Sequence, residues 1–170
     1  MIKNAVFTKL IKHTIATLLA VSLLSGCGFK LRGDYLLPEE FETLYVSSTD
    51  KHGELTRMVK QHLKVNEVNL ETKGSATIPE LRILNDSLDR RTLSLFENGQ
   101  VAEYELTYTV RYEIRFSYDR PRYFQFELYR NYQDNPDRAL AKSRELTLLR
   151  TEMRSEAANK ILRNLATIKL

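Results

Sequence analysis

Cysteine occurs once in these 170 residues, tryptophan not at all, proline four times and glycine six. A lone cysteine, Cys27, leaves no intramolecular disulfide and no cysteine pair for a zinc site. No Gly/Ser or Pro tract, repeat or low-complexity block divides the chain. There is no Gly-rich phosphate loop, no nucleophile motif, and no His/Cys/Asp set at metal spacing. His52 and His62 lack ligand partners, and the pair Glu39-Glu40 reads as solvated carboxylates at the entry to the fold. The residues therefore point away from an enzyme, including a lipid hydrolase, and imply no metal and no cofactor. Acidic residues are missing before Asp34, and the uncharged run Thr14–Leu24 spans eleven residues. That is well short of the ~20 a transmembrane helix needs.

What stands at the N-terminus is ordered by charge. Lys3, Lys9 and Lys12 precede the uncharged run, which ends in Leu24-Ser25-Gly26-Cys27. A basic start, a short apolar core and small residues before a cleavage point make a signal peptide over residues 1–26. A cysteine directly after Leu-Ser-Gly is the bacterial lipobox, in which the thiol is acylated and cleavage then exposes a cysteine acylated again on nitrogen. Lipidation of Cys27 would consume a thiol that is otherwise a liability in an exported protein, and more than one acyl chain gives stable anchoring. Gly28 stands where an inner-membrane lipoprotein of the enterobacterial type carries Asp, so the outer membrane is expected.

Cleavage before Cys27 leaves 144 residues, the size of one domain. The overall charge of +4 owes three charges to the signal lysines; the remainder holds 23 basic and 22 acidic side chains. A nearly neutral mature chain argues against a nucleic-acid partner. Residues 27–38 read as a tether and 39–170 as a single domain.

Within that domain Phe41 to Ser47 has the character of a short strand, and Ser48-Thr49-Asp50 offers helix-capping side chains. Leu55, Met58, Val59, His62 and Leu63 mark one face of a helix. A long strand with imperfect alternation occupies Ile78 to Phe96, and Asn98-Gly99 marks a hairpin turn. Tyr104, Leu106, Tyr108, Val110, Tyr112, Ile114 and Phe116 then alternate with polar residues, the pattern of a strand with one apolar face. Asp119-Arg120-Pro121-Arg122 is a further turn, and Tyr123 to Tyr132 returns as a strand. Asn135 caps and Pro136 opens a helix to about Ala166, with Leu146, Leu149, Met153, Ala157, Ile161 and Leu165 recurring every three to four residues. The expected fold is α+β in the order β-α-β-β-β-α: one mainly antiparallel or mixed four-stranded sheet, two helices packed on one face.

Three segments, Cys27-Gly-Phe-Lys-Leu-Arg-Gly33, Phe96-Glu-Asn-Gly-Gln-Val-Ala-Glu-Tyr-Glu105 and Asp134-Asn-Pro-Asp-Arg-Ala-Leu-Ala-Lys142, resemble the LptE family of lipopolysaccharide-assembly lipoproteins, in order and spacing along nearly the whole mature chain. The resemblance implies a plug inside the large outer-membrane barrel LptD, in a 1:1 complex, that binds lipopolysaccharide during its delivery to the outer leaflet. A stand-alone periplasmic lipoprotein binding another envelope ligand is the alternative. It implies barrel contacts at Phe96, Asn98, Gly99, Gln100 and Tyr104. Of the two basic positions it implies for lipopolysaccharide, one is Lys142; the other holds Glu97 here, with Arg90 or Arg91 as nearby replacements and Arg138 one turn from Lys142. Basic groups suit this ligand because lipid A carries phosphates, which Arg and Lys bind through charge-assisted hydrogen bonds.

Overall fold

The computed structural model describes residues 37–50, 52–116 and 119–168. The expected signal peptide, Cys27 and most of the expected tether lie outside the described residues. The unit Asp34–Leu170 carries five strands: β1 (Thr43–Ser48), β2 (Asn69–Glu71), β3 (Glu80–Leu95), β4 (Val101–Arg115) and β5 (Arg122–Gln133), and two helices, α1 (Glu54–Val65) and α2 (Ala139–Thr167). The sheet order is β2-β1-β3-β4-β5. β1 runs parallel to both β2 and β3, while β3, β4 and β5 form an antiparallel meander. The α+β class and the two helices match expectation; the sheet has five strands, not four. The added strand, β2, is three residues long, too short to show a periodicity, and exists because α1 returns the chain parallel to β1 through a crossover.

Both helices share one core with one face of the sheet. Leu55, Val59 and Leu63 of α1 and Met153, Ala157, Ile161 and Leu165 of α2 are fully buried, together with Leu44, Leu81, Val110, Tyr112 and Ile114 of the sheet. Small Ala157 and Ala158 let the helices approach, and Nδ1 of His62 lies 2.9 Å from Oδ1 of Asn159 across their contact. His62 is thereby accounted for as a helix-pairing side chain. At 1.5 Å per residue, α2 is about 43 Å long. Its second half is buried, whereas its first half extends beyond α1 toward the β3–β4 hairpin and leaves Leu140 and Leu148 exposed, at 83% and 57%.

The imperfect alternation of β3 has a structural cause. Leu81 and Ile83 face the helices opposite Ile114 and Tyr112, but the register shifts between Ile83 and Asn85. The extra residue, Leu84, is a bulge that exchanges the two faces from Asn85 to Thr92, after which the register shifts again on either side of Ser94. Asp86, Leu88, Arg90 and Thr92 then stand on the helix side, paired with Val110, Tyr108, Leu106 and Tyr104. Asp86 uses this position to accept a 2.6 Å hydrogen bond from the Tyr108 hydroxyl, and burial together with that bond pushes the phenol well above its ordinary range.

The two helix starts differ. Asn135 caps as expected: its side chain accepts from the Asp137 amide at 3.0 Å, Pro136 follows, and a 3-10 turn over Pro136–Arg138 leads into α2. The expected cap of α1 by Ser48-Thr49-Asp50 does not form. Gly53 occupies the cap position without a side-chain bond, and Asp50 Oδ1 instead accepts from the His52 amide at 3.0 Å, closing a local turn before the helix begins.

Candidate functional site

β3 and β4 continue well past the end of β1, since Ser48 already pairs with Ile83 and twelve more residues of β3 follow. The resulting hairpin meets the N-terminal end of α2. Its turn is a three-residue loop: the Gly99 amide donates to the Phe96 carbonyl at 2.9 Å, and the Phe96 amide to the Gln100 carbonyl at 2.8 Å. Gly99 alone supplies the left-handed conformation, with φ of 79°, after a turn through Glu97 and Asn98. The Asn98 side chain closes it, accepting from the Gln100 amide at 3.1 Å and donating to its side-chain oxygen at 3.0 Å.

Two open clefts flank this junction. One, of about 590 Å³, lies between Phe96, Ala102 and Glu103 of the hairpin and Arg138, Lys142 and Glu145 of the helix start. The other, of about 630 Å³, lies between the loop residues Phe96, Glu97, Asn98 and Gln100 and the Asn135-Pro136-Asp137 turn. Arg138 and Lys142 are thus brought together, as their spacing predicts, and Phe96 borders both spaces. Phe96 is 43% exposed and lies next to exposed Leu95 and Leu93.

Lys142 is not a freely solvated lysine. Its side chain is only 19% exposed; Nζ lies 2.8 Å from Oε2 of Glu145 and 5.1 Å above the Tyr132 ring. The Tyr132 hydroxyl in turn donates to the Lys142 backbone carbonyl at 2.9 Å, fastening the start of α2 to β5. Tyr132 is the register partner of Tyr104, and the Arg90 guanidinium lies 5.0 Å over the Tyr104 ring. Arg90, Tyr104, Tyr132 and Lys142 therefore form a ladder on one face of the sheet, two cations at the ends and the two tyrosines of one cross-strand pair between them. Cation–aromatic contacts of this kind orient the charges while leaving their N–H donors available.

Arg91 belongs elsewhere. It faces the open side of the sheet, where it pairs with Glu105, its cross-strand partner, at 2.9 Å. The bulge at Leu84 is what separates the two arginines in this sense and not the reverse. Sequence reading missed Tyr132 and Glu145 as neighbours of Lys142; the only trace was the even-numbered aromatic alternation shared by β4 and β5. Among the described residues no group of three or more His, Cys, Asp or Glu is placed to hold a metal ion, and no helix is long and apolar enough to cross a membrane.

The relatives of this chain agree with the architecture. The family model for LptE, described as lipopolysaccharide-assembly, matches residues 41–165. The LPS-assembly lipoprotein LptE of Photorhabdus laumondii is 37% identical over 160 residues, covering 92% of this chain and 88% of that protein. That of Yersinia pestis strain Pestoides F is 38% identical over 161 residues, covering 92% and 78%. The crystal structure of rare lipoprotein B from Shewanella oneidensis superposes with a TM-score of 0.68 at 43% identity, covering 74% of this chain and 94% of that one. With the matched region running from Phe41 at the entry to β1 through Leu165 near the end of α2, the chain belongs to the LptE family of lipopolysaccharide-assembly lipoproteins.

Proposed function

We propose that this chain is held in the outer membrane by lipid on Cys27, plugs an LptD-type barrel in a 1:1 complex, and binds lipopolysaccharide beside its β3–β4 hairpin as the lipid is delivered to the outer leaflet. The observation that carries the binding role is the Arg90–Tyr104–Tyr132–Lys142 ladder next to a cleft that Arg138 also lines. Phosphate needs fixed cationic donors, and side chains pinned against rings lose less freedom on binding than free ones. Arg90, on the same face as Lys142, takes the place of the basic residue that Glu97 does not provide. Arg91 drops out of this role because it points away and is already paired. The proposed role is one of binding and structure, without a reaction.

The plug reading is favoured over a stand-alone binder by the surface of the same end. Leu93, Leu95 and Phe96 on the hairpin and Leu140 on the helix are exposed apolar side chains gathered at this end, a surface that suits a partner. Phe96, Asn98, Gly99, Gln100 and Tyr104 are then the residues that meet the barrel, with Gly99 setting the turn that presents the others. Photocrosslinking residues placed at Phe96 and at Gln100 in the lipidated protein test this in outer membranes. An adduct of barrel size is expected at both; adducts only between copies of this chain, or none, refute the plug.

A further inference from the structure

We propose a second contact surface at the opposite end of the domain: the outer face of α1 docks on anionic phospholipid headgroups of the leaflet that holds the acylated Cys27. Arg57, Lys60, Gln61 and Lys64, with His52, line an open groove of about 500 Å³ in which no carboxylate takes part. Arg57 has Glu54 at 3.6 Å, whereas among the described residues no acid pairs with Lys60 or Lys64. Residues 39–170 carry 21 basic and 21 acidic side chains in all, so this stripe is a local segregation of charge. Like charges three and four residues apart on a helix weaken it slightly. The helix C-terminus compensates for Lys64 but not for Arg57 or Lys60, two and one turns further back. Fold stability therefore does not account for the stripe, and a facing anionic surface does.

The position of the stripe selects that surface. α1 runs back toward the point where the chain enters the fold: the Asn69 amide, just after the helix, donates to the Glu42 carbonyl at 2.7 Å, and Leu37 packs on the same core. Lys64 and exposed Val65, at 69%, are therefore at the tether end. Cys27 is ten residues before Leu37, and at ~3.5 Å per residue the anchor holds this end within about 35 Å of its bilayer. Over that distance screened charge acts only on contact, within roughly a Debye length of 8–10 Å, so the tether supplies the encounter and the lysines supply the dwell time. The ladder by the hairpin is at the far end and takes no part.

This inference rests on the lipid anchor proposed above. It is tested with the lipidated protein bound to vesicles through its own acyl chains, carrying a nitroxide at Gln61→Cys or, as a control, at Asn98→Cys. Collision with a chelated nickel headgroup lipid is measured in phosphatidylcholine alone, with phosphatidylglycerol added, and with lipopolysaccharide added. Phosphatidylglycerol should raise the collision rate at position 61 and not at 98. Lys60→Gln with Lys64→Gln should lower the docked-to-undocked ratio roughly 25-fold, about fivefold per lysine, and Lys142→Met should leave it unchanged. Equal rates at position 61 in phosphatidylcholine and phosphatidylglycerol overturn the proposal, as does a response to lipopolysaccharide alone. Vesicle flotation reads the anchor separately, so loss of the anchor and failure of the headgroup contact give different results.

Discussion

Removing the charge of Lys142 while keeping its stem separates what the residue does for the fold from what it does for a ligand. Lys142→Met leaves an unbranched chain against the Tyr132 ring and does not touch the backbone carbonyl that accepts from the Tyr132 hydroxyl. The fold loses a partly exposed cation–ring contact, about 0.5–1 kcal/mol, and a half-exposed pair with Glu145, about 0–1 kcal/mol. A destabilisation of about 0.5–2 kcal/mol is expected in urea unfolding, too small to unfold a domain of ordinary stability. Binding of a phosphate loses a charge-assisted bond, about 1.5–3 kcal/mol. The native lysine must also share itself with Glu145, which reduces the net loss to about 1–2 kcal/mol, or roughly a 5- to 30-fold rise in Kd for lipopolysaccharide. The same competition fixes the sign of a second change: Glu145→Gln frees the lysine and should tighten binding by a few-fold. Titration of the purified protein with lipopolysaccharide, alongside unfolding of the same variants, supplies both quantities. Unchanged binding by a folded Lys142→Met protein, or weaker binding by Glu145→Gln, would refute the role given to this cation.

Arg90→Met should weaken lipopolysaccharide binding by an amount similar to Lys142→Met, while Arg91→Met should leave it within about twofold, because only Arg90 shares the ladder face; equal effects in the same titration would contradict the bulge argument. Gly99→Ala has open space for its methyl group but must hold φ near 79°, so urea unfolding should show a loss of about 1–2 kcal/mol and no more. Ile161→Ala, at a fully buried position between α2 and the sheet, should cost about 2–5 kcal/mol by the same assay; a cost under 1 kcal/mol would mean that the helix is not packed as described. Cys27→Ala should leave an unacylated precursor that still carries residues 1–26, and equal incorporation of radioactive fatty acid by both proteins would dismiss the lipobox.

Regular patterns in the sequence were sufficient for most of the architecture. The alternation through Tyr104–Phe116 is that of β4, because a side chain every second residue lands on the same face whatever lies beside it. The α2 spacing and the Asn135-Pro136 start are likewise local, each set by atoms within a few residues. Local signals failed where the outcome depended on partners distant in sequence. β2 is a strand only because β1 offers it an edge, and three residues cannot advertise that. Asp50 turned from capping α1 to closing the turn before it, since Gly53 and not the Ser48–Asp50 segment came to lie at the helix start. The site shows the same division. That cations cluster at Arg90, Arg91, Arg138 and Lys142 is written in the chain, but neighbouring residues of a strand cannot both face one ligand. Which arginine joins Lys142 was decided by one unpaired residue, Leu84, whose bulge shifts the register of β3 against β4 and so reverses the side chains from Asn85 to Thr92.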